Sequence, residues 1–596
     1  MELKNVYDYI VTEINNYKTV RVPITDSTDW NMSEYIERCT NVSNGWYHKG
    51  KNDGLRPYKD IVTPIINVAK RSEGFDVKDI VPYVDNIDEN YKSFLVKKYH
   101  PKWARKYELD TFIDEVVTSS IVYDLVLVKN INTVRPELVP LQKIAFCDQT
   151  DIMSGPIAVK HQYTPAQLTT YKGKWDADAI DEVILKSIEE KVQPNHNDSK
   201  VKTPGKYIEV YELRGYLPKS WLDENASPFE YEHQLHIVSI TGVDKDLSSG
   251  VTLYKGKDKP LDETFKSLVI EPVFGRACGR SIVETLFEPQ VWTNYSAQKI
   301  KKLLDAAITV FQSASDELAD QDLTELPANT IIKHEDNKPI TKVDGNVQNL
   351  PAFTNYQISL ENDARVLGSA SDAQLGTNPV SGTPFALQSL VVQQGQGIHE
   401  FRQGKIATFF ADVLYRDWFL KMLVKEMNNG LTFSEELSLE EITDICEKII
   451  TNEVEEEISE KILTTGIVPT KQEREALKQV KREEFMKKGN RKFFEVMKDE
   501  LKDIPMDVYV NIKGKQANMA QNADKLTNLI RTVMQNPTAF SQIPGMSKLF
   551  NQLLENSGLS AVDFTPITTA IQAQPSADQP APQDINQPAT TGQPNQ

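Results

Sequence analysis

The chain has 596 residues, enough that more than one packing unit is expected, and its 40% hydrophobic and 26% charged residues match an ordinary folded domain protein. Its net charge of −18 argues against a tight DNA binder such as a repressor or nuclease, which neutralises phosphates with clustered Lys and Arg. No apolar run approaches the roughly 18–20 residues of a membrane span, and the opening MELKNVYDYIVTEINNYKTV lacks a signal-peptide core, so no membrane partner is expected and synthesis in a cytoplasm is.

Residues 1 to about 60 alternate short helical patterns with turn signals at Asn44-Gly45 and Asp53-Gly54. From Ile61 to Val128 amphipathic helices dominate, and IVYDLVLVKN reads as a helix passing into a strand. Between Leu138 and Pro272 the period shifts toward two. VPLQKIAFCD, GPIAVKHQYT, YIEVYELRGYLP, YEHQLHIVSITG and FKSLVIEPVF read as strands, with one helical interruption from Pro165 to about Val192. The N-terminal half is therefore expected to be α+β around a largely antiparallel sheet.

Farther along, EPVFGRACGRSIVETLFEPQVWTN leads into a helical repeat of Ile300, Leu303, Leu304, Ala307, Ile308 and Phe311. Asp316 to Phe353 reads as turns and short strands, and Asn355 to Ser369 as a second helix. A Gly/Ser/Asn/Pro segment, LGTNPVSGTP, then precedes one very long helix from Phe385 to about Asn428, which Asn428-Asn429-Gly430 stops. Beyond it the chain is strongly charged. LEEITDICEKIITNEVEEEISEKIL keeps an apolar face through Ile442, Ile445, Ile449 and Ile450, and KQEREALKQVKREEFMKKGNRKFFEVMKDEL carries Glu–Lys pairs at helical spacing. A strand-like MDVYVNIKG and helices over Met519–Met534 and Met546–Ser557 follow. From Ile571 the composition falls to Gln, Pro, Ala, Asn, Asp and Thr without an aromatic residue, which reads as disordered.

Motifs for chemistry are weak. Gly45 to Asn52 has phosphate-loop spacing, but Asn52 stands where a magnesium-binding hydroxyl belongs and no buried strand precedes it. Gly395-Gln396-Gly397 sits in a helical region without a third glycine. Asp176, Asp178 and Asp181 fail the calcium-loop pattern, because Ile180 takes a ligand position and the glycine is missing. His233 and His236 fall on opposite faces of a strand. Cys39, Cys147, Cys278 and Cys446 form no C-x-x-C pair and read as small buried hydrophobes. No G-x-S-x-G elbow or H-E-x-x-H pair occurs. No metal, cofactor or catalytic residue is expected, and an enzyme with dispersed catalytic residues stays as a rival reading.

The order helix, compact insert, helix, polar loop and long helix resembles the portal proteins of tailed bacteriophages, above all those of short-tailed, podovirus-type and crAss-like phages. Three places carry the likeness. Gly275, Gly279, Arg280, Ser281 and Glu284, with Gln290 and Asn294, are similar to the turn and opening of a portal's first stem helix, although a strand break at Gly279, a Ser281 cap and a Glu284 capping box need no DNA. Gly376 to Pro384 resembles the loop that portals place in their channel, although a plain interhelical turn has the same composition. VYVNIKGKQANMAQNADKLTNLIRTVMQNPTAFSQIPGMSKLFNQLLENSGLS is similar to a portal crown.

The resemblance implies a wing over 1–280, stem helices over 281–315 and 354–375, and a clip over 316–353. It also implies a tunnel loop over 376–384, further wing over 385–513, a crown over 514–570 and a tail over 571–596. It implies a dodecameric ring at one capsid vertex of the virion, assembled in the host bacterial cytoplasm, that conducts double-stranded DNA and catalyses nothing. Major capsid protein, a terminase packaging motor and tail adaptor proteins are the implied partners. Within the ring Thr377, Asn378, Ser381 and Thr383 are candidates to touch DNA, and Lys299, Lys301 and Lys302 to line the stem bore. Ile300, Leu304 and Phe311 are candidates for packing between subunits. The acidic balance fits a bore in which lasting phosphate contacts act as brakes. Another virion structural protein, a minor head protein or adaptor, is the second rival reading.

Overall fold

The computed structural model shows an α+β protein. It describes residues 5–45, 58–84, 90–131, 133–192, 207–223, 225–227, 229–244, 247–306, 310–312, 341–343, 350–370, 375, 385–436, most of 450–464, 470–487, 491–496 and 506–510. The chain divides into two compact units, residues 1–435 with 493–518 and residues 436–492 with 519–596.

The first unit opens with α1 (Val6–Thr19), capped by Asn5, whose side-chain oxygen accepts the Asp8 N–H at 2.7 Å. A hairpin of β1 (Val22–Thr25) and β2 (Thr28–Trp30) leads into α2 (Met32–Ser43), capped by Asn31. Next come α3 (Val62–Glu73), β3 (Ile80–Val84), α4 (Asn90–Lys106) and α5 (Leu109–Tyr123). The expected helix-to-strand passage is present. Phe112, Ile113, Val116, Val117 and Ile121 are buried, Asp124 turns the chain left-handed at φ 47°, and β4 (Val126–Lys129) is buried throughout.

β5 (Glu137–Leu138), β6 (Ile144–Phe146) and β7 (Ile157–Tyr163) precede α6 (Pro165–Thr169) and α7 (Ala177–Val192), the expected helical interruption. β8 (Ile208–Pro218), β9 (Tyr231–Asp244) and β10 (Leu247–Lys257) complete an antiparallel sheet of order β10-β9-β8-β7-β6. Leu168, Ile180 and Val183 of the helices pack on Val210 and Leu253 of the sheet. β10 was not among the expected strands. Its register shifts at Ser249/Gly250, where a Cβ would lie 2.5 Å from the Tyr7 ring, so the glycine that breaks its alternation is demanded by packing. The short α8 (Leu261–Thr264) then leads to β11 (Phe265–Leu268), which pairs with β4 in a sheet of order β11-β4-β5.

α9 (Ile282–Ala306) ends earlier than the expected 315. Phe311 consequently stands not on that helix but in β12 (Val310–Gln312), opposite Lys342 of β13 (Thr341–Val343). A β-branched and an aromatic residue side by side, Val310-Phe311, favour the pleated strand over the helix. α10 (Leu350–Leu367) begins before the expected Asn355, with Pro351 in its first turn, where a missing N–H costs nothing.

The very long helix is present as α11 (Phe385–Thr408), a π-helical stretch Phe409–Phe419 and α12 (Leu420–Met427), with Gly430 beyond it at φ 86°. The wider i→i+5 winding turns Phe410 and Tyr415 to one side. There Phe410 meets Phe75 at 5.4 Å and Tyr415 meets Phe419 at 4.9 Å.

The second unit holds helical residues 450–464, whose Ile450, Val454 and Ile458 pack with Ile462 and with Leu477 of α13 (Lys471–Lys487). Of the acidic run expected to be a solvated face, Glu455 is exposed, Glu457 is partly exposed and pairs with Lys461 at 2.9 Å, and Glu456 lies outside the described residues. RKFFEV, read as part of a helical charge pattern, is instead β15 (Arg491–Val496), paired with β14 (Leu431–Glu436). The expected strand near Met506 is β16 (Met506–Val510), which returns to pair antiparallel with β3. The middle of the region expected as one wing segment, 436–492, thus belongs to the second unit. The crown and tail regions lie outside the described residues.

Candidate functional site: an antiparallel helix pair and a buried anchor

The segment Glu271–Ser281 launches α9 by close packing. Ser281 Oγ accepts the Glu284 N–H at 2.9 Å, as a cap should. The Glu284 carboxylate does not return to complete a capping box. It takes two hydrogen bonds from the Arg276 guanidinium, at 2.9 and 2.7 Å, and Arg276 lies over the Tyr35 ring at 5.4 Å. At Gly279 a Cβ would sit 1.8 Å from Asp124 Oδ2, so only glycine fits.

Gln290 and Asn294, two of the residues that carry the resemblance, are both buried and hold the chain at residues 59–61 to α9. Gln290 Oε1 accepts the Ile61 N–H at 3.0 Å, and its Nε2 donates to the Lys59 carbonyl at 2.7 Å. Asn294 Oδ1 accepts the Lys59 N–H at 3.1 Å. The Lys59 ammonium pairs with Glu361 of α10. Asn294 and Glu361 lie about equally far from the β12–β13 end of their helices, which places α9 and α10 side by side and antiparallel.

At 3.6 residues per turn, Lys299 and Lys302 share one face of α9 with Trp292 and Tyr295, and Lys299 lies over the Tyr295 ring at 5.3 Å. Lys301 falls on the other side with Ile300 and Leu304. The three lysines therefore do not form one bore-lining stripe within the subunit. Ile300 is half-buried and Leu304 is 52% exposed. Phe311 is in the β12–β13 pair, and Thr377, Asn378, Ser381 and Thr383 lie outside the described residues.

Farther along the chain, α11 is fixed by a buried ionic cluster that sequence reading missed. Arg402, fully buried, donates from Nε to Glu73 Oε1 at 3.0 Å, from Nη1 to Glu271 Oε1 at 3.0 Å and from Nη2 to the Ser120 carbonyl at 3.1 Å. Asp124 Oδ1 lies 3.4 Å from Nη2, and His399 Nδ1 donates to Glu73 Oε1 at 2.9 Å. Gln403 Nε2 donates to the Gly74 carbonyl at 2.9 Å. Burial pushes the Asp124 carboxyl up to about 7, against the pull of Arg402. The cluster joins α3, the end of α5, the turn before α9 and the long helix. Its spacing of His399, Arg402 and Gln403 on one helical face was the available signal, and no local motif names their partners.

A second buried network sits on the sheet, where Glu212 takes Lys129 at 2.9 Å, His161 at 2.8 Å and Arg214 at 2.6 Å. Burial opposes its ionisation, yet these contacts hold the Glu212 carboxyl well below the usual range. Cys39 and Cys278 are buried as expected, Cys147 is only partly buried and Cys446 lies outside the described residues; burial pushes the Cys39 thiol up to about 12. Asp176 caps α7 through the Asp178 N–H at 3.0 Å, and Asp181 pairs with Lys172, so neither is poised for calcium. His236 donates to Gln234 while His233 lies against Tyr216. Among the described residues no group of His, Cys, Asp and Glu could hold a metal, and no helix is long and apolar enough to cross a membrane. The phosphate-loop-like stretch lies outside the described residues after Gly45. No family model matches the chain, and no curated protein matches it.

Proposed function

We propose that the chain is one subunit of a phage portal, a closed ring at a capsid vertex through which double-stranded DNA is packaged and later ejected. One observation carries the reading: α10, with eighteen residues, buries only Ala364 within the subunit. A helix of that length gains little from propensity alone and needs packed neighbours, and adjoining copies would supply them. The order of α9, β12–β13, α10 and α11 supports the same reading, as does the lock between α9 and the wing. In the ring the subunit catalyses nothing. Its partners are other copies, major capsid protein, a terminase motor, tail adaptors and DNA, and it resides in the virion after assembly in the bacterial cytoplasm. The polar loop over 376–384 contacts DNA without gripping it. Native mass spectrometry with electron microscopy of the purified chain tests the reading. Closed rings, dodecamers by resemblance, are expected, and monomer alone at micromolar concentration rejects it.

A further inference from the structure

Two exposed stripes run along the stem hairpin. On α9, Glu288, Trp292, Tyr295, Lys299 and Lys302 recur in alternating steps of four and three residues. On α10, Ala352, Tyr356, Ser359, Asp363 and Val366 recur in the same steps. That spacing, about 3.5 residues, is the one by which helices pack knobs into holes. Apart from Lys299, half-buried over the Tyr295 ring, the stripes are uncovered within the subunit: Trp292 is 46%, Tyr295 48%, Tyr356 48% and Val366 79% exposed.

The stripes differ in complementary ways. The α9 stripe presents large side chains and two cations. It is pre-shaped, since Trp292 Nε1 donates to Glu288 Oε2 at 3.2 Å and the Trp292 and Tyr295 rings meet edge to face at 5.7 Å. The α10 stripe sets the small Ala352 and Ser359 on either side of Tyr356 and carries the acidic Asp363. Two different patches of opposite charge on one chain can satisfy each other between copies, head to tail, an arrangement that closes a ring where the rotation between copies closes.

We infer that the Trp292–Tyr295–Lys299–Lys302 face of α9 docks on the Tyr356–Ser359–Asp363–Val366 face of α10 in a second copy of this chain. The inference rests on the ring reading for its setting and moves the subunit contact away from Ile300, Leu304 and Phe311. It assigns Lys299 and Lys302 to the interface rather than to the bore.

The test is charge reversal with rescue in the full chain. Lys299→Glu with Lys302→Glu, and separately Asp363→Lys, are expected to shift assembly in native mass spectrometry toward monomer at least tenfold at low salt. The chain carrying all three changes is expected to recover assembly, which also shows that it folds. Normal assembly of both single-sided variants overturns the inference while leaving the ring reading intact. So does failure of the triple variant to recover, and so does normal assembly with altered DNA retention, which would return the lysines to the bore. Wild-type chains that pair through these stripes without closing would instead reject the ring and keep the contact.

Discussion

Replacing Arg402 with Met removes the cationic partner that Glu73 and Asp124 share inside the α11 anchor, while keeping most of the side-chain volume. Breaking a buried ion pair by deleting one member costs about 3–5 kcal/mol, because the remaining charge stays desolvated. Asp124 limits that cost by taking up a proton. In the wild-type chain its carboxyl is already raised from 3.8 to about 7. A carboxyl whose folded pKa exceeds its unfolded value adds stability that is fully present below about pH 4 and is lost as pH rises through 7. A rise of that size corresponds to roughly 4 kcal/mol across the window. Arg402→Met drives the folded pKa of Asp124 higher, so the Asp124 share of its deficit should be smallest at pH 5 and largest above pH 8, on top of the cost of leaving the fully buried Glu73 without Arg402. Urea midpoints followed by tryptophan fluorescence from pH 5 to 8 read this directly. A variant within about 1 kcal/mol of wild type at pH 8, or one whose deficit does not grow with pH, refutes the account.

Gln290→Leu should cost about 2–4 kcal/mol, since it leaves the Ile61 N–H and the Lys59 carbonyl without their amide partner. Hydrogen exchange should rise at residues 58–66 first, and unchanged protection there counts against the lock. Gly279→Ala should cost about 3 kcal/mol or more, because its Cβ meets the Glu271 carbonyl and an Asp124 Oδ2 already held by the Glu271 N–H; thermal melting at wild-type temperature would contradict the packing argument. Glutamates at Asn378, Ser381 and Thr383 add three negative charges per subunit to the proposed DNA-contacting loop, so packaging or retention of DNA should fall while assembly persists. Virions of normal DNA content would count against that contact.

What was legible in the sequence was local. The passage from α5 into β4, the strands β6 to β9, the helices over 165–192 and the helical run from Phe385 to Met427 each follow from periodicity and turn residues within a short window. A side chain's pattern along its own element reports which face is apolar, and burial rewards that pattern wherever the partner comes from. The misses have the opposite cause. Gly250 interrupts β10 because Tyr7 occupies the space of a Cβ. β15 looks helical by its charges but is held by pairing with β14. β3 finds its partner in β16, far along the chain, and Gln290 finds Lys59 and Ile61 just as remotely. Arg402 reads as one more basic residue on a long helix until Glu73, Asp124 and Glu271 close around it. Hydrogen bonds and ion pairs are satisfied by whichever atoms the fold brings near, and no local window contains them; the amino-acid sequence alone therefore determined the elements and their faces, while the tertiary structure decided which elements meet and which buried groups hold α9 and the long helix in place.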